Sequence, residues 1–232
     1  MTATGMDDNN ILKAADIHRE FTTAKGTLEV LKGISLEVKQ GQMVAVTGAS
    51  GVGKSTLLHI LGGLDRPTKG EVRIGEQRLN ELSETGLARF RNRKVGFVFQ
   101  FHYLLEDFTA LENVLVPLLL AGQSREAGMA RVELLLEQVG LTDRATHRPR
   151  ELSGGEQQRI AVARALANQP EIVLADEPSG NLDTATGRKL HDLLFRLNAE
   201  NGTSFLIATH NRELADQCAV ECTMADGLIA YN

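Results

Sequence analysis

Four apolar runs punctuate the chain at wide intervals: MVAVTG (43–48), KVGFVFQ (94–100), EIVLADE (171–177) and FLIATH (205–210). Their hydrophobic residues follow one another without strict polar alternation. That is the pattern of strands buried on both faces of a parallel sheet with helices on either side. Ligands of such sheets bind beyond the carboxyl ends of the strands, so Gly48, Gln100, Asp176, Glu177 and His210 should converge on one edge. Two other segments read differently. Ile11 to Val38 alternates in part and GEVRIGEQRL (70–79) adds a short strand pattern, which together predict an antiparallel layer beside the parallel sheet. From Phe101 to Glu151 the spacing turns helical, with Leu111, Val114 and Leu118, then Val132, Leu135, Leu136 and Val139. The expectation is one α/β domain over residues 1–232. It has a mainly parallel sheet flanked by helices, an N-terminal antiparallel β layer and a helical lobe inserted at about 101–155. MTATGMDDNN (1–10) reads as a disordered tail with no apolar targeting core.

The first run leads into a known kind of cradle. GASGVGKS, Gly48 to Ser55, satisfies G-x-x-x-x-G-K-[ST] in full. Its glycines let backbone N–H groups turn inward around phosphates, Lys54 reaches the β/γ oxygens, and the Ser55 hydroxyl is placed to ligate Mg²⁺. STLLHILGGL follows as a helix whose positive end meets the anion. Asp176 and Glu177 stand side by side at the end of a buried strand, where unpaired carboxylates are costly. They read as a metal contact and a general base, against the plainer reading of a capping or salt-bridged pair. His210 ends another buried strand and is a candidate γ-phosphate contact. LSGGEQQR (152–159) is a second helix start suited to an anion, and Ser153 and Glu156 have the spacing of a capping box.

Composition narrows the class. The 232 residues are 42% hydrophobic and 24% charged, with a formal net charge of −5, so a nucleic-acid partner is not expected. The one basic run, Arg89, Arg91, Arg93 and Lys94, reads as a solvated face before a buried strand. No apolar run approaches the roughly 18 residues of a membrane-spanning helix; the longest, Val114 to Ala121, contains Pro117. Cys218 and Cys222 have the spacing of one helix face and read as reduced thiols. Phe97, Phe99, Phe101, Tyr103 and Phe108 make up half of the ten aromatics, crowded around Gln100. They form either a groove for a partner helix or the packing of the helical lobe.

The ordered set GASGVGKS, Gln100, LSGGEQQR, IVLADE, SGNLD (179–183) and His210 resembles the ATPase subunit of ABC transporters, over nearly the whole chain. The resemblance implies the ABC type of P-loop NTPase fold, ATP hydrolysis with Mg²⁺, and an ATP-dependent homodimer packed head to tail. In that dimer Ser153, Gly154, Gly155 and Glu156 face the nucleotide held by the other copy, and Asp183 crosses the interface. Gly48, Ala49, Ser50, Gly51, Val52, Gly53, Lys54, Ser55 and Thr56 would hold the phosphates. Ser55, Gln100 and Asp176 would hold the metal, while Glu177, His210 and Gln100 would serve the reaction. Phe21 falls where the family places a tyrosine that stacks on adenine. LLHILGGLDRPTKGEV (57–72) and FQFHYLLEDFTALENVLVPLL (99–119) resemble the lipoprotein-releasing and macrolide-exporting branch of the family most. This implies integral membrane partners and a peripheral place on the cytoplasmic face of the bacterial inner membrane. Other branches the same site would serve are cell-division complexes and non-transport ATPases acting on nucleic acid or ribosomes.

Overall fold

The computed structural model describes residues 9–24 and 26–231. Two sheets form the frame. Strands β1 (Asn10–Thr23), β2 (Gly26–Lys39), β4 (Lys69–Ile74) and β5 (Gln77–Arg78) make an antiparallel sheet in the order β2-β1-β4-β5. Strands β3 (Met43–Thr47), β6 (Val95–Val98), β7 (Ile172–Asp176), β8 (Ser204–Ala208), β9 (Val220–Ala225) and β10 (Leu228–Tyr231) make the second sheet, in the order β10-β9-β3-β8-β7-β6. All of its pairings are parallel except β9 with β10.

The four apolar runs are β3, β6, β7 and β8, and their lack of alternation has a direct cause. On β7, Val173 and Ala175 enter one core while Ile172 and Leu174 enter another on the opposite face. The first core packs the sheet against helices α3 (Ala110–Leu120), α4 (Arg125–Gln138), α5 (Gly154–Ala165) and α6 (Thr184–Asn201). The second packs it against the antiparallel layer, with α1 (Lys54–Leu61) and Leu87 of α2 (Glu84–Lys94) in between. Phe205 of β8 is wholly buried, as are Leu57 and Leu61 of α1, and burying one such side chain contributes about 1.5–3 kcal/mol.

The expected helical lobe holds α3 and α4. They pack on α5, which runs on from the lobe to β6, so one helix joins lobe and sheet. Asn113 of α3, fully buried, fastens the preceding loop: its Nδ2 donates to the carbonyls of Leu105, Phe108 and Thr109, and its Oδ1 accepts from the N–H of Leu105. Thr109 and Glu112 cap the same helix reciprocally.

Some expectations need correction. Of the tail read at 1–10, residues 1–8 lie outside the described residues, and Asn10 opens β1. Cys218 and Cys222 do not share a helix: Cys222 is on β9, while Cys218 closes the turn after α7 (Arg212–Ala215), donating to the carbonyl of Leu214. Burial raises both thiol pKa values to about 11, with Glu221 adding to the effect, which keeps them protonated and unreactive at neutral pH. The basic run at the end of α2 is largely exposed before the buried β6, as expected, with only Arg91 partly buried, and three of its side chains find partners. Arg91 donates to the carbonyl of Gly63, Arg93 to that of Ala121, and Lys94 pairs with Glu171 at 2.6 Å.

Candidate active site

β3 sits between β8 and β9, so the turn after it opens at the centre of the carboxyl edge. Gly48 holds φ +146°, and a Cβ there would come within 2.4 Å of the Met224 carbonyl oxygen on β9. Only glycine permits that approach. Gly53, the N-cap of α1, is left-handed and offers no side-chain cap, so no side chain competes for the first N–H groups of the helix.

A cavity of about 680 Å³ opens over this turn. Gly48, Ala49, Ser50, Gly51, Gly53, Lys54, Ser55 and Thr56 line one wall, and Gln100, Asp176, Glu177 and His210 line the other. The convergence expected of the strand ends is therefore present. Val52 faces away and packs against the second core. Lys54 is 7% exposed; its Nζ donates to the carbonyls of Gly48 (2.8 Å) and Ala49 (3.1 Å) and lies 3.8 Å from Glu177 Oε1.

Glu177 is fixed from several sides. Its backbone is in the left-handed region at φ +45° and its N–H donates to the Ala208 carbonyl at 2.8 Å. Oε2 accepts from the His210 N–H at 3.2 Å and lies 2.9 Å from His210 Nδ1. A non-glycine residue at such a φ is strained, a cost found where the surrounding structure dictates a functional geometry. Asp176 is placed differently: its Oδ1 is buried and finds no hydrogen-bond partner among the described residues. An orphaned carboxylate oxygen on a residue that lines the same cavity as Ser55 fits the coordination shell of a hard cation, reached directly or through water.

Gln100 reaches the cavity from the loop after β6 and is tied to Asn181, a residue the sequence did not single out. Gln100 Nε2 donates to Asn181 Oδ1 at 2.9 Å, and Asn181 Nδ2 donates back to the Gln100 carbonyl at 3.0 Å. Val30 of β2 lines the cavity as well, and no motif in the sequence marks it. Phe21 is not among the lining residues; it is partly exposed, with the Arg19 guanidinium 4.5 Å from its ring centre.

The second anion-suited helix start stands apart. Ser153, Gly155 and Glu156 line another cavity, of about 410 Å³, together with Arg159, Thr186 and Lys189. Ser153 caps α5: its Oγ accepts from the Glu156 N–H, and the Glu156 carboxylate accepts from the Ser153 N–H and Oγ–H at 2.8 Å each. Those bonds, reinforced by Arg144, lower the Glu156 pKa from its ordinary 4.5 to about 2. A carboxylate whose pKa is depressed on folding stabilises the fold above its unfolded value and loses that contribution as pH falls towards its folded value. The capping box therefore weakens between about pH 4.5 and 2, and acid unfolding of Glu156→Gln, followed by circular dichroism, should lack that part of the wild-type pH dependence. Asp183 likewise caps α6, its Oδ1 accepting from the N–H groups of Ala185 and Thr186.

The family model described as "ABC transporter" matches residues 31–180. The chain belongs to the ABC transporter family. Among curated ABC transporter proteins, it is 49% identical over 221 residues to the lipoprotein-releasing system ATP-binding protein LolD of Geobacter metallireducens, covering 95% of this chain and 98% of that protein. To LolD of Porphyromonas gingivalis it is 52% identical over 219 residues, covering 94% and 98%. Its fold matches the ABC transporter cassette MJ0796, solved as a dimer in a post-hydrolysis state bound to ADP and Pi. That match has a TM-score of 0.88 and 39% identity, and covers 95% of this chain and 97% of that one. ABC transporter membership accounts for the architecture: a P-loop sheet, an antiparallel layer and a helical lobe.

Proposed function

We propose that this chain is the ATP-hydrolysing subunit of a lipoprotein-releasing ABC transporter, acting as a pair of copies around two ATP molecules and fastened to integral membrane subunits. The carrying observation is the separation of the two anion-binding helix starts. Lys54 and α1 open into one cavity, whereas Ser153 and α5 open into another. A second copy packed head to tail supplies the Ser153 segment to the phosphates lying on Lys54. The relatives support this reading: the LolD proteins are lipoprotein-releasing system ATP-binding proteins, and the MJ0796 cassette is a dimer bound to ADP and Pi.

In this mechanism the backbone N–H groups from Gly48 to Thr56 receive the phosphates, and Lys54 exchanges its carbonyl partners for their oxygens. Glu177 orients the attacking water and accepts its proton, held in position by His210. Ser55, Asp176 and Gln100 are the residues to hold Mg²⁺, and the orphaned Asp176 Oδ1 suits that task. When bound, Mg²⁺ supplies positive charge against the phosphate oxygens. Phe21, with Arg19 on one face, offers the other to adenine. Gly154, Gly155 and Glu156 build the trans-acting helix start, and Asp183 lies at the interface.

Beside this site Phe97 and Phe99 stack with centroids 5.6 Å apart, and with Leu64 and Pro117 they line an open groove of about 280 Å³. Tyr103, 5.5 Å from Phe99, and Phe101 beside it extend the groove as exposed surface, and Phe108 is exposed as well. This surface suits a helix from a membrane subunit. Among the described residues no helix is long and apolar enough to cross a membrane. The chain is then held peripherally at the cytoplasmic face of the inner membrane, with no call for nucleic acid. Analytical ultracentrifugation of Glu177→Gln tests the pairing: the variant should sediment as a dimer with ATP and as a monomer with ADP. A monomer at saturating ATP and high protein concentration would overturn it.

A further inference from the structure

The loop after Gln100 alternates its side chains. Phe101 (59%) and Tyr103 (66%) are exposed, while His102 between them is half-buried. His102 Nε2 lies 3.1 Å from the carbonyl oxygen of Gly154, the first residue of α5. A carbonyl only accepts, so the imidazole carries its proton on Nε2 and donates. Burial and the neighbouring Arg164 charge lower the His102 pKa, in keeping with a neutral ring. Three further bonds join the stretch from Phe99 to Tyr103 to α5. Arg164 donates to the carbonyls of His102 (2.7 Å) and Tyr103 (2.6 Å), and Gln158 Nε2 donates to that of Phe99 (3.0 Å). Those bonds grip the middle and far end of the helix. The His102 bond reaches its first turn, next to Ser153.

We propose that His102 is a positioning residue for the phosphate-facing start of α5. It ties that helix start to the loop whose outer rings meet the membrane partner, so that displacement of the loop is passed to Ser153. Arg164 and Gln158 keep loop and helix packed as one body, while the His102 bond sets the tilt of the turn presented to the other copy. This inference rests on the paired arrangement proposed above, in which Ser153 meets a γ-phosphate across the dimer.

The test uses the full chain carrying Glu177→Gln, with His102→Leu or His102→Gln added. Leucine removes the donor; glutamine places an N–H donor at similar reach. Loss of one neutral hydrogen bond should raise the ATP concentration for half-maximal dimerisation roughly three- to tenfold in His102→Leu, and glutamine should restore it to within about twofold. ADP affinity of the monomer and thermal midpoint should stay at parental values in both. An unchanged ATP requirement in His102→Leu, with the Glu177→Gln parent still dimerising, would overturn the inference and leave the paired reading standing. A parent that never dimerises would remove the reading on which it rests. Equal loss in both variants together with a lower thermal midpoint would make His102 a packing residue and also overturn the inference.

Discussion

Glu177→Gln should lower steady-state ATP hydrolysis by about 10²–10⁴, the usual cost of losing a general base, while ATP binding persists. The expectation follows from how the side chain is held. Its Oε2 is held by the His210 backbone N–H and by Nδ1, and its own N–H is fixed on Ala208. Glutamine has the same length and keeps an oxygen for the His210 N–H, so the geometry survives and the basicity does not. Lys54 also loses its carboxylate neighbour at 3.8 Å, which leaves its ammonium freer for phosphate. The KM for ATP should therefore move only a few-fold while kcat collapses. A phosphate-release assay on the isolated chain and on membranes carrying its partners measures both. Turnover within tenfold of wild type in both settings would remove Glu177 from the chemistry.

Asn113→Leu should cause the largest loss of stability away from the cavity. Leucine matches asparagine in shape, yet it strands the Leu105 N–H and takes the donor from the carbonyls of Leu105, Phe108 and Thr109. Unpaired, partly buried backbone groups cost about 1–3 kcal/mol each. Water reaches some of them in this loop, so the net loss is about 2–4 kcal/mol. For a chain of this size that corresponds to a fall of roughly 4–16 °C in thermal midpoint, read by scanning calorimetry. ADP affinity below the transition should be unchanged, because Asn113 is not among the cavity's lining residues. A midpoint within a degree of wild type would mean that the loop does not depend on this anchor.

The strands that carry the chemistry were legible because burial on both faces leaves a plain mark, uninterrupted apolar residues, and β3, β6, β7 and β8 all bear it. β9 escaped notice. Its Cys222 and Met224 are buried while Glu221 and Thr223 are only partly so, and a strand with a weak two-residue rhythm looks like a loop. The cysteine spacing then suggested a helix. β1 carries register shifts at Ala14, Ile17 and Arg19, which blur its alternation. At the site, Lys54, Ser55 and the glycines announce themselves because backbone geometry dictates their identity. Asn181, Asn113 and His102 do not, since each acts through atoms that no motif encodes: a distant amide, several carbonyls, the first carbonyl of a helix. Glu156 was readable as a cap from spacing alone, and the same spacing served the family resemblance, so one tetrad carries two meanings.

The contact between Gly48 and the Met224 carbonyl has a consequence for the newborn protein. The phosphate nest leaves the ribosome well before the strand that forms its floor, since Gly48 and Met224 stand 176 residues apart in the chain. At translation speeds of about 5–20 residues per second, the interval is roughly 10–30 s. Throughout that time the glycine-rich turn lacks the β9 backbone beneath it, so a nascent chain cannot hold nucleotide there until β9 has been made and paired.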